Sequence, residues 1–125
     1  MKIRSESTTP IYMQIAELIE DQILKGIIKE GEQVYSTNEL SYLLHVNPAT
    51  ARKGLNLLVD GGIIYKKRGV GMFVSSGATE MIKEKRTNSF FNDYILEMLR
   101  EGDKLGVDRD EIIKMIKSYK REGER

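Results

Sequence analysis

Cysteine is absent from this chain of 125 residues, and histidine occurs once, as His45. The lack of cysteine excludes disulfides, thiol nucleophiles and metal sites built on thiolate ligands. One histidine leaves no histidine-pair metal site within a single chain. These absences argue against an enzyme, and we expect no catalytic residue, no metal and no other cofactor.

Long apolar segments are missing as well. No run of about 18 apolar residues occurs, so no membrane span is predicted. The first residues, MKIRSEST, are polar and lack the apolar core of a secretion signal, which predicts a cytoplasmic protein. Apolar residues make up 40% of the chain and charged residues 31%, a balance typical of a folded domain rather than of a disordered tail.

Basic charge is concentrated in one stretch, although the net charge of the whole chain is only +1. Between residues 45 and 75 there is one acidic residue, Asp60, against five basic residues: Arg52, Lys53, Lys66, Lys67 and Arg68. Such a stripe is typical of a surface that meets nucleic acid. Charge alone gives equal weight to a solvated face, so the pattern of helices and strands must decide.

The N-terminal part of the chain predicts a helix over residues 9–26. Thr9 suits the N-cap, and Pro10 suits the first helical position because its missing N–H costs nothing there. Gly26 suits the C-terminal stop. A turn is expected to follow at residues 29–34.

A short second helix is predicted to begin at the S-x-x-E sequence from Ser36 to Glu39, which forms a capping box. Its buried face is expected to consist of Leu40, Leu43 and Leu44. The next helix follows after a tight turn, with Asn47 as N-cap and Pro48 in the first helical position.

This third helix has two different sides. One is small and apolar, and comprises Ala51, Gly54, Leu55 and Leu58. Glycine within a helix costs about 1 kcal/mol relative to alanine, so we expect Gly54 to pack closely against another helix. The opposite side carries Ala49, Thr50, Arg52, Lys53 and Asn56. Two helices joined in this way predict a helix-turn-helix, whose second helix fits the major groove of DNA.

A β-hairpin is predicted after the third helix. Residues 63–67 and 72–74 are β-prone, and the turn between them contains Gly69 and Gly71. The hairpin tip is basic, so Lys66, Lys67 and Arg68 are candidates for contact with phosphates or the minor groove. The glycines do not match a phosphate-binding loop of a nucleotide enzyme, because no helix start follows them.

The C-terminal part predicts two helices, over residues 79–101 and from Asp108 to about Tyr119, separated by a break at 104–106. They carry more apolar surface than two helices can bury alone. We therefore expect a symmetric dimer. Its predicted interface comprises Ile82, Phe90, Phe91, Tyr94, Ile95, Met98, Leu99, Ile112 and Ile116. The aromatic members are interpreted as dimer core rather than as a ligand pocket. The expected domains are 1–76 for nucleic-acid binding and 77–125 for dimerisation.

Several motifs in one register resemble the winged helix-turn-helix of GntR-family bacterial transcription regulators. The motifs are Pro10-Ile-Tyr-x-Gln14, Leu24-x-Gly26, Ser36-x-x-Glu39-Leu40, Val46-Asn-Pro-Ala-Thr50-Ala-Arg52 and Lys67-Arg-Gly-x-Gly71-x-Phe-Val74. The short C-terminal part is similar to the YtrA-like subfamily, whose members dimerise through two helices. The expected fold is mostly α with a small β-hairpin, a winged helix-turn-helix followed by a C-terminal two-helix dimerisation hairpin.

The resemblance also implies DNA contacts. Ser36 matches a family serine that approaches DNA, whereas Asn38 and Pro48 stand where the family often has arginine. Thr50 matches a threonine that contacts phosphate, and Arg52 matches an arginine that reads a base edge. Arg68 and Gly69 match the tip that enters the minor groove. The full set of expected DNA-binding residues is Ser36, Asn38, Asn47, Ala49, Thr50, Arg52, Lys53, Asn56, Lys66, Lys67, Arg68 and Gly69. Asn47 is interpreted mainly as a helix cap.

Two functions of different classes follow. The first is a repressor that binds double-stranded DNA as a homodimer and reads a palindromic operator, with its recognition helices about one DNA turn, ~34 Å, apart. The resemblance suggests transporter genes as targets. The alternative is a winged-helix adaptor that binds protein without sequence-specific DNA binding. A small-molecule effector is left open, because no residue pattern marks its site.

Overall fold

The computed structural model describes residues 2–123. These residues fall into two compact units, and the division lies between Glu84 and Lys85. This structural division lies eight residues after the boundary expected between residues 76 and 77. Ala78 and Ile82, which follow it, are fully buried in the core of the first unit.

The first unit begins with helix α1 (Ile11–Leu24), which is shorter than the predicted 9–26. Pro10 is the N-cap, with an extended ψ of 146°, and no side chain caps this end. The expected cap by Thr9 is therefore wrong. The backbone carbonyl of Thr9 instead accepts a hydrogen bond from Nε2 of Gln14 at 2.9 Å.

Helix α2 (Thr37–Leu44) begins with the predicted capping box. Glu39 N–H donates to Oγ of Ser36 at 3.1 Å, and Ser36 N–H donates to Oε1 of Glu39 at 2.9 Å. Leu40 is buried and Leu44 is half-buried, but Leu43 is 51% exposed. The prediction that Leu43 is buried is wrong, because this short helix turns only one narrow side to the core.

Helix α3 (Pro48–Asp60) packs against α1 at Gly54. A Cβ atom at Gly54 would lie 2.8 Å from Cγ2 of Ile15 and 2.9 Å from the carbonyl oxygen of Tyr12. Both distances are shorter than real Cβ contacts. The close approach of α1 and α3 therefore requires that residue 54 has no side chain. The predicted close packing at Gly54 is confirmed.

Strands β1 (Ile64–Lys67) and β2 (Gly71–Val74) form an antiparallel hairpin in which Ile64 pairs with Val74 and Lys67 pairs with Gly71. We call residues 64–74 the wing. Residues 31–34 also bond to β2, since Gly31 N–H donates to Val74 O and Val34 N–H donates to Met72 O, both at 2.8 Å. Residues 29–34 therefore do more than form the predicted turn, because part of the segment is also hydrogen-bonded to β2.

Helix α4 (Ala78–Phe90) contains the division between the units, and a π-helical segment (Phe91–Ile95) and helix α5 (Leu96–Leu105) follow it. The helical chain thus continues to Leu105, beyond the predicted end at residue 101. Gly106, with φ 72°, ends it. Helix α6 (Arg109–Ser118) begins with Asp108 as N-cap, as predicted. The observed fold confirms a mostly helical protein with one β-hairpin.

Candidate nucleic-acid interface

The packing of α3 determines which of its side chains face solvent. Its apolar residues Ala51, Gly54, Leu55 and Leu58 are buried. At about 100° per residue, the opposite side of the helix carries Ala49, Arg52, Lys53 and Asn56, and all four are exposed. We call these four residues the outer side of α3. Thr50 lies at its margin and is half-buried.

The start of α3 is fixed by Asn47, whose Oδ1 accepts a hydrogen bond from Ala49 N–H at 2.8 Å. The interpretation of Asn47 as a helix cap is confirmed. Ser36 plays the same part at the start of α2, and Asn38 lies exposed in the first turn of that helix. The side chains of Ser36 and Asn47 therefore fix where α2 and α3 begin.

Lys53 has a contact that the sequence did not predict. Its Nζ lies 4.1 Å from the centre of the Tyr12 ring, on the first turn of α1. A cation over an aromatic face is attracted by the ring. This attraction holds the Lys53 ammonium beside α1 and restricts the conformations of its side chain. Both residues belong to motifs of the sequence, but only their placement in three dimensions shows that they meet.

The tip of the wing is exposed and basic. Lys66, Lys67, Arg68 and Gly69 all lie in solvent, and residues 61–79 contain no acidic residue. The turn closes through a hydrogen bond from Val70 N–H to Lys67 O at 2.9 Å, and Gly69 takes a φ of 77° there. On the strands, Tyr65 and Phe73 stack with ring centres 5.9 Å apart.

Glu30 links the segment between α1 and α2 to the start of α4. Its carboxylate accepts hydrogen bonds from Gly77 N–H at 2.7 Å and Thr79 N–H at 3.3 Å. The bond from Gly77, followed by that from Thr79, lowers the pKa of Glu30 below its ordinary value. The sequence did not predict this cap, because Glu30 is far along the chain from both Gly77 and Thr79.

The expected dimer interface must be corrected at two positions. Ile82 lies fully buried in the first unit, and Ile112 is buried in the second, where Cδ1 of Ile112 would meet a Cβ at Gly102. Neither side chain is available to another chain. The exposed members are Phe90, Phe91, Tyr94, Met98 and Ile116, while Ile95 and Leu99 are half-buried.

An open groove of about 630 Å³ lies on the second unit. Its lining is mainly charged and comprises Asp93, Tyr94, Glu97, Met98, Arg100, Glu101, Asp103 and Lys104. Glu97 and Arg100 form an ion pair at 2.7 Å within it. Among residues 2–123, no helix is long and apolar enough to cross a membrane, and no group of side chains has the composition of a metal site.

A helix-turn-helix with a polar, basic outer side, followed by a hairpin with a basic tip, defines a winged-helix DNA-binding protein. Residues 11–74 match the family described as "Bacterial regulatory proteins, gntR family". The chain belongs to the GntR family.

Relatives match the chain over most of its length. The HTH-type transcriptional repressor YtrA of Bacillus subtilis is 31% identical over 118 residues, which cover 94% of this chain and 89% of the relative. YhcF of the same organism, an HTH-type transcriptional regulator, is 27% identical and covers 91% of this chain and 93% of the relative. The resemblance to short-tailed, YtrA-like regulators is thereby confirmed.

Solved structures agree with this assignment. A GntR family transcriptional regulator from Listeria monocytogenes is 29% identical, has a TM-score of 0.72, and covers 92% of this chain and 99% of that one. The DNA-binding domain of AraR, solved in complex with operator ORX1, is 32% identical with a TM-score of 0.55 and covers 60% of this chain and 95% of that one. The family consists of DNA-binding transcriptional regulators, and the chain is not an enzyme.

Proposed function

We propose that this protein is a repressor that binds a two-fold symmetric operator as a homodimer. The outer side of α3 is the observation that carries the proposal. Its residues are exposed because the opposite side of the helix is buried in the core. They include basic and amide groups that can bind base edges and phosphates.

Arg52 is proposed to read a base. It is the single arginine of α3, and it is exposed on the outer side. A planar guanidinium can donate two hydrogen bonds to O6 and N7 of guanine, a geometry that a lysine ammonium does not offer. Arg52 is therefore assigned to sequence recognition within the major groove.

The remaining basic residues are proposed to bind the DNA backbone. Lys53, Lys66 and Lys67 carry compact ammonium charges suited to phosphate. Arg68 and Gly69 at the wing tip are proposed to enter the minor groove, which is narrow and electronegative. Ser36, Asn38 and Thr50 lie at or near the helix starts and are proposed to approach the phosphates that flank the site.

The homodimer is supported by apolar surface in the second unit. Phe90 and Tyr94 lie with ring centres 5.5 Å apart, and they are 51% and 67% exposed. Exposed apolar clusters of this kind mark surfaces that bind other proteins. A second copy of the chain is the proposed occupant because most DNA sites read by helix-turn-helix proteins are two-fold and are bound by symmetric dimers.

Repression is supported by the named relatives. YtrA and NagR of Bacillus subtilis are both described as HTH-type transcriptional repressors, and this chain is 31% identical to each of them over the aligned residues. Control of transporter genes is proposed from the family resemblance alone, and mapping of the bound sites on the chromosome tests it.

The experiment that tests the function is selection of bound sites from random duplex DNA, followed by sedimentation of the protein with and without the selected site. We expect a palindromic site with half-sites about one helical turn apart, bound by two copies of the chain. Failure to enrich any sequence would contradict the proposal and favour the adaptor function. Enrichment of a single half-site by one chain would refute the dimer but keep the DNA-binding function.

A further inference from the structure

We infer that Gln33 is a positioning residue that holds the tip of the wing in place for DNA. The inference rests on the proposed contact between the wing and a DNA groove. Gln33 lies outside the wing, and no DNA contact is assigned to it. Its side-chain Nε2 donates a hydrogen bond to the backbone carbonyl of Val70, in the turn of the wing, at 3.1 Å.

The backbone around Gln33 is fixed against the second strand of the wing. Val34 N–H donates to Met72 O at 2.8 Å, and Val74 N–H donates to Glu32 O at 2.9 Å. Gln33 itself forms an isolated antiparallel bridge with Phe73. Its side chain therefore starts from an anchored position and spans the distance to the turn.

Gly71 makes room for this side chain. A Cβ atom at residue 71 would collide with Nε2 of Gln33 and lie 3.3 Å from its Cδ. Gly71 also has a φ of 146°, which side chains rarely adopt. Gln33 and Gly71 thus fit each other, although the first residue precedes the helix-turn-helix and the second ends the turn of the wing.

The hydrogen bond matters because a two-stranded hairpin has little stability of its own. Glycine at residue 69 allows the turn more backbone conformations than other residues would, and ordering the turn on DNA costs free energy. A turn already held by Gln33 loses less freedom on binding. The effect of removing the bond should therefore appear in DNA affinity rather than in the stability of the fold.

The test is the variant Gln33→Met, which keeps the length of the side chain and removes the donor. We expect the affinity for the selected operator to fall about three- to tenfold, since a hydrogen bond of this kind contributes about 0.5–1.5 kcal/mol. Gln22→Met is the matched control, because Gln22 accepts a hydrogen bond from Tyr35 at 2.9 Å away from the wing. The control should bind the operator as the unaltered protein does.

A double variant separates positioning from a general loss of structure. If Gln33 acts through the tip of the wing, the two substitutions affect the same contact. The fold-loss in affinity of the double variant Gln33→Met with Arg68→Ala should then be smaller than the product of the fold-losses of the two single variants. Hydroxyl-radical protection should weaken where the wing lies and persist where α3 lies.

Three outcomes would overturn the inference. They are unchanged affinity of Gln33→Met, losses that multiply fully in the double variant, and equal weakening of protection across the whole site. If Arg68→Ala alone leaves the affinity unchanged, the proposed contact between wing and DNA fails, and the role of Gln33 fails with it. If Arg68→Ala weakens binding and Gln33→Met does not, only the role of Gln33 is refuted.

Discussion

Asn47, Arg52 and Lys53, at the start and on the outer side of α3, are all polar and exposed, but they serve different purposes. Asn47 uses its side-chain oxygen to cap the helix through Ala49 N–H. Lys53 places its ammonium over the ring of Tyr12. Arg52 is exposed on the outer side, and its guanidinium is the group best suited to discriminate between bases.

The variant Arg52→Ala should lose about 1–3 kcal/mol of binding free energy on the selected operator and accept other bases at the position that Arg52 reads. Binding to random duplex DNA should change little, because that binding comes from phosphate contacts. Titration of both duplexes at one salt concentration measures the difference. Arg109→Ala, an exposed arginine in the second unit, is the control. Equal weakening on both duplexes would instead assign Arg52 to phosphate.

Glu30 makes stability depend on pH. Its pKa in the folded protein is lowered by the N–H donors of Gly77 and Thr79. The stabilisation is therefore complete above the ordinary carboxyl pKa and is lost as the pH falls through the lowered folded value. Urea unfolding should show Glu30→Gln less stable than the unaltered protein at neutral pH, with the difference shrinking in acid.

Glu80→Gln is the control for Glu30, since Glu80 lies in the first turn of α4, the helix whose start Glu30 caps, and pairs with Lys83 in solvent at 3.7 Å. Its stability difference should be small at every pH because exposed ion pairs contribute little. A Glu30→Gln difference that stays constant down to strongly acidic pH would contradict the assigned cap.

Local signals explain which elements the sequence could predict. The caps at Ser36, Asn47 and Asp108 were predictable because each one acts within a few residues of its own helix. The partners of Lys53 and Glu30 were not, because those contacts join segments that only the folded chain brings together. Ile82 illustrates the same limit, since its apolar character was evident but its burial in the first unit was not.

The contact between α1 and α3 leaves no space for a methyl group at residue 54. Gly54→Ala should destabilise the protein by about 1–2 kcal/mol net, because the cost of overpacking exceeds the gain in helix propensity. Gly61→Ala is the matched control, since its Cβ would meet its nearest neighbour at an ordinary 3.5 Å. Denaturant unfolding of both variants measures the difference. A more stable Gly54→Ala would show that the helices can separate at little cost.

The wing should contribute to affinity through charge that salt can screen. Lys66→Gln should weaken binding to all duplexes alike and lower the slope of log affinity against log salt by about one unit. Lys25→Gln, an exposed lysine at the far end of α1, serves as the control. Binding measured between about 50 and 200 mM salt provides the slopes. An unchanged slope for Lys66→Gln would show that this lysine does not contact phosphate.

The complete regulator is proposed to need two chains. Tyr94→Asp places a charge in the exposed apolar cluster and should convert the protein to a monomer in sedimentation experiments. It should weaken binding to the full operator by at least about 10²-fold, because the second half-site is no longer delivered at high effective concentration. Binding to an isolated half-site should persist.

Ile27→Asp is the control for Tyr94→Asp, since Ile27 is 63% exposed and Tyr94 is 67% exposed. It lies in the first unit, outside the proposed interface, and should leave the assembly intact. Circular dichroism of both variants checks that their helices are retained. A Tyr94→Asp protein that still sediments as a dimer would place the interface elsewhere.

The division of α3 into a buried side and an outer side has a practical use for engineering. Because the buried residues of α3 are Ala51, Gly54, Leu55 and Leu58, we expect that outward positions can be exchanged for those of another regulator without repacking the interior. New operator preferences could then be screened as a small combinatorial library on an unchanged scaffold. Ala49, Arg52 and Asn56 would be its variable positions, and Lys53 would stay unchanged because its ammonium contacts the ring of Tyr12.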